Sequence, residues 1–189
     1  MAKLKLGVIV GSNRRESINR KLAAALARLG GPAFEATFIR IDDLPMYNQD
    51  HENPLPAAAA RFKSEIEASD AVLFVTPEHT RSIPAVLKNA IDWGARPWGK
   101  SSWPGKPAAI IGTSGGAIST AVAQQHLRAM LGAAMHVMGG EAYIQFKPDL
   151  IDAEANVADE TVRKFLKDFI DRFAAFAGKF APAAAQQAA

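Results

Sequence analysis

The feature that most constrains this chain is a rhythm. Short runs of apolar residues alternate with longer stretches whose apolar residues recur every three or four positions. The runs are Leu4–Val10, Phe34–Ile39, Ala71–Val75, Ala108–Gly112 and Ala134–Met138. A run that is apolar at consecutive positions belongs on a strand buried on both faces, as in a parallel sheet covered by helices on each side. The intervening stretches supply the helices. Ile18, Leu22, Leu26 and Leu29 form one stripe, followed by Gly30-Gly31, where glycine readily closes a helix in the left-handed conformation. Ile83, Leu87, Ala90 and Ile91 form a second, with Ser82 placed to cap it. Val162, Phe165, Leu166, Phe169, Ile170, Phe173 and Phe176 form a third, which reads as core without a ligand role. This alternation predicts a doubly wound α/β fold, a five-stranded parallel sheet of order 2-1-3-4-5.

At 189 residues and 49% hydrophobic content, the chain suits one globular domain. That domain is predicted over residues 1–180, with the Ala/Gln-rich Ala181–Ala189 as a disordered tail. The net charge is +3 and the basic residues are dispersed, which argues against nucleic acid as a partner. There is no cysteine, so disulfides, thiolate nucleophiles and cysteine-ligated metal centres are excluded. His51, His79, His126 and His136 show no metal-ligand spacing. No apolar stretch is long enough for a signal peptide or a membrane span, and the chain reads as cytoplasmic.

In a doubly wound sheet, ligands sit beyond the carboxyl ends of the strands, which nominates the loops after the first, third and fourth runs. The first is Gly11-Ser12-Asn13-Arg14-Arg15-Glu16-Ser17-Ile18-Asn19, opening directly into a helix. A helix start offers unpaired backbone N–H groups and a partial positive charge, so an anion there is doubly stabilised. Ser12, Ser17 and Asn19 are potential donors to phosphate oxygens, and Arg14 and Arg15 add cations, each with a planar fork matched to phosphate. The loop lacks both the spaced glycines of the dinucleotide turn and the Gly-Lys-Ser/Thr ending of the triphosphate loop, which points to one terminal phosphate. The competing reading makes Ser17 a plain N-cap and leaves the arginines solvated.

The second loop, Thr76-Pro77-Glu78-His79-Thr80-Arg81-Ser82-Ile83-Pro84, runs into Ala85-Val86-Leu87-Lys88-Asn89-Ala90-Ile91-Asp92-Trp93. Here the chain resembles the NAD(P)H-dependent FMN reductases of flavodoxin-like fold, in particular their quinone and chromate reductase branch. That family carries Gly-Ser-x-Arg-x-x-Ser-x-Asn, then Pro-Glu-Tyr-Asn-x-Ser-Ile-Pro, then Leu-Lys-Asn-Ala-Ile-Asp-Trp. Gly11, Ser12, Arg14, Ser17 and Asn19 match the first motif; Pro77, Glu78, Ser82, Ile83 and Pro84 match the second; Leu87–Trp93 match the third. The resemblance spans about the first 150 residues. It implies that Ser12, Arg14, Ser17 and Asn19, with Ile18 between them, hold the FMN phosphate, and that Pro77, Glu78, His79, Thr80, Arg81 and Ser82 lie along the isoalloxazine ring. His79-Thr80 replaces the family's Tyr-Asn, and Arg81 replaces a small residue. A cation near the ring favours an anionic reduced flavin.

The third loop, Gly112–Thr120, literally fits the G-x-S-x-G nucleophile elbow at Ser114, which raises a hydrolase as the rival. Chain order opposes it, because no Asp or Glu lies between Ser114 and the last histidine, His136. In the family this loop reads Ser-Pro-Gly-x-x-Gly-Thr; Ser114, Gly116 and Thr120 fit, and Ser119 stands in place of a glycine. Gly115 and Gly116 allow the backbone to approach a flavin closely.

The three tryptophans, Trp93, Trp98 and Trp103, fall in one Gly/Pro-rich connection and read either as interface anchors or as cover for the sheet edge. The family is typically dimeric or tetrameric with its active site at the subunit boundary, which favours an interface. Arg96 fits the family's Asp-Trp-x-x-Arg pattern and is the candidate grip on substrate or nicotinamide. Glu78 and His79 are the acid–base candidates near the ring. The resemblance implies an FMN oxidoreductase that takes hydride from NADPH or NADH and passes electrons, in a ping-pong cycle, to quinones and to acceptors such as chromate, azo dyes or ferric complexes. The alternatives are a flavin reductase releasing reduced FMN and a flavodoxin-type electron carrier; a carrier is usually acidic, and this chain is not.

Overall fold

In the computed structural model, which describes residues 3–180, the central strand is β3 (Ala71–Val75), buried at every position. β1 (Leu4–Val10) and β4 (Pro107–Ser114) flank it in parallel, and β2 (Phe34–Phe38) lies outside β1. Beyond β4 the edge is divided. β5 (His136–Val137) pairs with Pro107 and Ala108, and β6 (Tyr143–Gln145) pairs with Gly112, Thr113 and Ser114. The order β2-β1-β3-β4-β5 is the predicted one. The strand predicted over Ala134–Met138 shrinks to two residues, and β6 was not predicted. Gly139 and Gly140, the latter at φ +89°, bend the chain away between the two pieces, so the long β4 takes two short partners.

Alternation along each strand sends side chains to opposite faces. Leu6, Val8 and Val10 face α1 (Ile18–Gly30) and α5 (Glu160–Gly178), packing with Leu22, Leu26, Phe169 and Phe173. Ile9, Phe74 and Ile110 face α2 (Ala57–Glu67), α3 (Ala85–Ala95) and α4 (Ala121–Leu131). Each fully buried Leu or Phe contributes about 1.5–3 kcal/mol. Together the two layers hold the carboxyl ends of β1, β3 and β4 in fixed register.

Several local expectations are corrected. Gly31 has φ −52°, so α1 does not close in the left-handed form; its N–H bonds Arg28 O at 3.2 Å instead. Gly30 serves packing, since a Cβ there would meet Ile170 Cγ1 at 2.8 Å. Ser82 does not cap α3, which starts after Pro84 with no side-chain cap, because Ser82 is drawn into a hairpin with His79. Phe165 is exposed at the margin of its stripe. Trp93 and Trp103 are 0% and 3% exposed and belong to the core, leaving Trp98, 87% exposed, as the one surface tryptophan among the described residues. Trp103 fits because Gly94 lies under its ring: a Cβ there would sit 2.3 Å from Cζ2. The expected tail Ala181–Ala189 lies outside the described residues.

Candidate active site

Three loops converge beyond β1, β3 and β4 on one cavity of about 280 Å³. Its first wall is the Gly11–Asn19 loop. Ser17 is the N-cap of α1, and its Oγ accepts from Arg20 N at 3.2 Å while its hydroxyl hydrogen stays available to donate. Ile18 and Asn19 occupy the first turn, where backbone N–H groups have no intrahelical acceptor. Ser12, Arg14 and Ile18 also line this wall. The Asn19 side chain is used differently from expectation. Its Nδ2 donates to Thr113 O at 2.9 Å and its Oδ1 accepts from Thr113 N at 3.0 Å, which ties α1 to β4 inside the core. What Asn19 offers an anion is its backbone N–H.

The second wall is Pro77–His79, continued by Pro84 and Val86 at the start of α3. His79 and Ser82 exchange two backbone hydrogen bonds of 2.9 Å, closing a two-residue hairpin around Thr80 (φ 49°) and Arg81 (φ 61°). This is the turn that Asn-Gly adopts readily. In threonine and arginine the left-handed backbone costs about 1–2 kcal/mol per residue. Glu78 Oε2 accepts from Val122 N at 3.0 Å and Ala123 N at 3.1 Å, in the first turn of α4, where Thr120 provides no side-chain cap. Glu78 Oε1 lies 3.7 Å from Arg81 Nη1, with side chains 12% and 72% exposed. Ser82 Oγ meets His126 Nδ1 at 3.1 Å. Thr80, Arg81 and Ser82 stand outside the cavity lining, whereas His79 is on it and exposed.

The third wall is Thr113, Ser114 and Gly115, with Gly116 beyond it. A Cβ on Gly115 would meet nothing within 4 Å, so the backbone there is open to a ligand. Ser114 Oγ donates to Ser119 O at 3.0 Å and accepts from Gly116 N at 3.2 Å; no histidine partners it, which disposes of the nucleophile elbow. Ser119, standing where the family has glycine, has φ 52° and donates its Oγ to Ile144 O at 2.7 Å. A Cβ on Gly112 would lie 2.0 Å from Thr76 O, so only glycine lets the second and third walls meet.

Arg96 is not brought to this cavity within the chain. It is the C-cap of α3, while the cavity lies at the other end, about 16 Å away for eleven residues. Its Nε donates to Glu52 Oε1 at 2.7 Å, Tyr47 Oη donates to the same oxygen at 2.7 Å, and the guanidinium stands 5.9 Å over the Tyr47 ring. Bonding from Tyr47 and then Arg96 holds the Glu52 carboxyl below its ordinary range. The sequence reading missed Tyr47, Glu52 and also Asn89, which fixes Tyr47 N and Pro45 O at 2.7 and 2.9 Å. It also missed Thr113, Pro84 and Val86 on the cavity wall.

The donor set fits FMN. Hydroxyls, Arg14 and free helical N–H groups gather at one end, and open backbone with proline and valine gathers at the other. Among the described residues no group of acidic, histidine or cysteine side chains is arranged to hold a metal ion, and no helix is long and apolar enough to cross a membrane.

The chain is similar to known flavin and quinone reductases. Residues 4–149 match the sequence profile of NADPH-dependent FMN reductases. The chain is 49% identical over 175 residues to a 2-hydroxy-1,4-benzoquinone reductase of a Burkholderia species, covering 92% of this chain and 96% of that protein. It is 47% identical over 174 residues to a quinone reductase of Pseudomonas putida, covering 90% and 93%. In three dimensions it matches FerB, a flavoenzyme NAD(P)H:(acceptor) oxidoreductase of Paracoccus denitrificans, with a TM-score of 0.90 and 44% identity, covering 94% and 98%. With a matching profile, near-full-length relatives and a flavodoxin-like sheet, this chain belongs to the NADPH-dependent FMN reductase family of oxidoreductases.

Proposed function

We propose that the protein is an FMN-dependent NAD(P)H:quinone oxidoreductase. The observation that carries this reading is the single cavity in which a helix start rich in anion donors faces a hairpin and an open glycine backbone. FMN supplies the redox chemistry, accepting hydride from NADPH or NADH and passing two electrons to the acceptor. Ser12, Arg14, Ser17 and the N–H groups of Ile18 and Asn19 hold the phosphate. Pro77, Glu78, His79, Ser114 and Gly115 line the ring, with Thr80, Arg81, Ser82 and Gly116 continuing the same loops. Nicotinamide and acceptor would use this one cavity in turn, which gives a ping-pong cycle. The relatives named for quinones support that acceptor class. His79 is the acid–base candidate on the exposed side, since the Glu78 carboxylate is engaged by α4.

Arg96 reaches a flavin only across a subunit boundary, so its proposed role on substrate belongs to a dimer or tetramer. The apolar groove of about 560 Å³ between α3 and α4, lined by Ile83, Ala85, Ala129 and Met130, supports association with a second copy. The chain's cysteine-free composition and its nicotinamide reductant suit the cytoplasm.

The test is binding and turnover of the purified protein. FMN should bind far more tightly than riboflavin, and Arg14→Ala should weaken FMN by roughly tenfold or more, the scale of one charge-assisted bond. NADPH or NADH should then drive quinone reduction with parallel-line kinetics. Arg96→Ala should stay yellow and folded while slowing one half-reaction about tenfold to a hundredfold. Equal affinity for FMN and riboflavin would overturn the phosphate assignment, and normal rates in an intact Arg96→Ala oligomer would remove Arg96 from the site.

A further inference from the structure

We propose that Glu78 is a positioning residue: its carboxylate clamps the hairpin wall of the cavity to the first turn of α4 and sets the charge of that wall. The inference rests on the reading that the cavity takes FMN.

Three observations converge on it. The first is reach. Glu78 and its partners Val122 and Ala123 are 44 and 45 residues apart, and one carboxylate oxygen takes both N–H groups at 3.0 and 3.1 Å. These are donors that α4 cannot satisfy itself, and Thr120 makes no side-chain cap. The second is bracing. At the far end of the hairpin Ser82 meets His126, also on α4, at 3.1 Å, so both legs of the turn are fastened to one helix. The third is the tip between them. Thr80 and Arg81 are held at φ 49° and 61°, a conformation their side chains disfavour, so local preference opens this turn and the anchors must close it.

Charge follows from the same placement. Glu78 lines the cavity and is 12% exposed, and its anion faces the positive end of α4. Arg81 is too exposed and, at 3.7 Å, too distant to neutralise it fully. The carboxylate therefore cancels a helix terminus that otherwise points positive potential at the flavin wall. Removing the charge while keeping an acceptor oxygen makes that wall more positive and raises the reduction potential of bound flavin.

Two variants separate clamp from charge. Glu78→Gln retains an oxygen for Val122 and Ala123, so FMN affinity should stay close to the parent's while the flavin midpoint potential moves positive. Glu78→Ala loses both functions; FMN should bind roughly tenfold more weakly, and the Val122 and Ala123 amides should exchange faster with solvent in the apoprotein. Unchanged amide exchange in Glu78→Ala, or an unchanged potential in Glu78→Gln, overturns the proposal. Failure of the parent protein to take up FMN refutes the reading of the cavity instead, because the exchange measurement needs no flavin.

Discussion

Replacing Thr80-Arg81 by Asn-Gly should make the protein more stable. The two residues sit at φ 49° and 61°, bracketed by the paired 2.9 Å hydrogen bonds of His79 and Ser82. Left-handed backbone costs about 1–2 kcal/mol in an ordinary residue, while asparagine and glycine adopt it with little penalty. Against the gain stands the wider unfolded ensemble of glycine, about 0.5–1 kcal/mol. The substitution also removes the Arg81 guanidinium from its place 3.7 Å from Glu78; with the arginine 72% exposed, an ion pair of that kind contributes almost nothing. With two residues relieved, the balance is a stabilisation of about 1–3.5 kcal/mol. For a chain of this size each kcal/mol moves the melting midpoint by about 2–4 °C, so a rise of about 2–14 °C is expected. Thermal unfolding of the apoprotein by circular dichroism measures it. Arg81→Ala is the control, because it removes the guanidinium but keeps a Cβ at positive φ, and its midpoint should not move upward. An unchanged or lower midpoint for the Asn-Gly protein would show that the turn is not strained and would refute the reasoning.

Asn19→Ala should be strongly destabilising, by about 2–5 kcal/mol, because it strands the buried N–H and C=O of Thr113; a urea unfolding free energy within about 0.5 kcal/mol of the parent's would contradict this, since surface changes stay in that range. Asn19→Asp should fare little better, as an ionised carboxylate cannot donate to the Thr113 carbonyl. The Glu52 pair should respond to acid. Its carboxyl is held below the ordinary value of 4.5 in the native state, so its stabilising effect is complete above that value and is lost as pH falls through the lowered one. Trp93 touches the Tyr47 ring edge-on at 5.1 Å, so its fluorescence should report the loosening, and Glu52→Gln should abolish that transition.

What could be read from residues alone was whatever local pattern decides. Apolar runs located β1 and β3, and the phenylalanine stripe located α5, because burial on a sheet or against a helix leaves its mark in the sequence. α2 escaped notice because its buried positions are Ala59, Phe62 and Ile66 together with a lysine, Lys63, whose ammonium is satisfied by Lys100 O at 2.7 Å and Ser102 Oγ at 2.9 Å. The Gly11–Asn19 wall of the cavity was legible because its polar residues are contiguous. The clamp of Glu78 on α4 and the Asn19 bridge to Thr113 were not, since their partners are 44 and 94 residues away and nothing local marks them. Trp103 looked like a surface anchor for a related reason: the space it fills exists only because Gly94, nine residues earlier, has no side chain.

The divided edge beside β4 bears on how copies of this chain can and cannot join. A strand that templates polymerisation needs a straight row of unpaired N–H and C=O groups. Here the outer row is cut into pieces of two and three residues, separated by a bend at Gly140. Arg128 reaches from α4 into the gap and donates to Met138 O at 2.8 Å and to Gly140 O, so the turn between the two pieces is tied to a helix. Among the described residues, that side of the sheet presents no strand longer than three residues for amyloid-like extension, which leaves association there to helical surfaces.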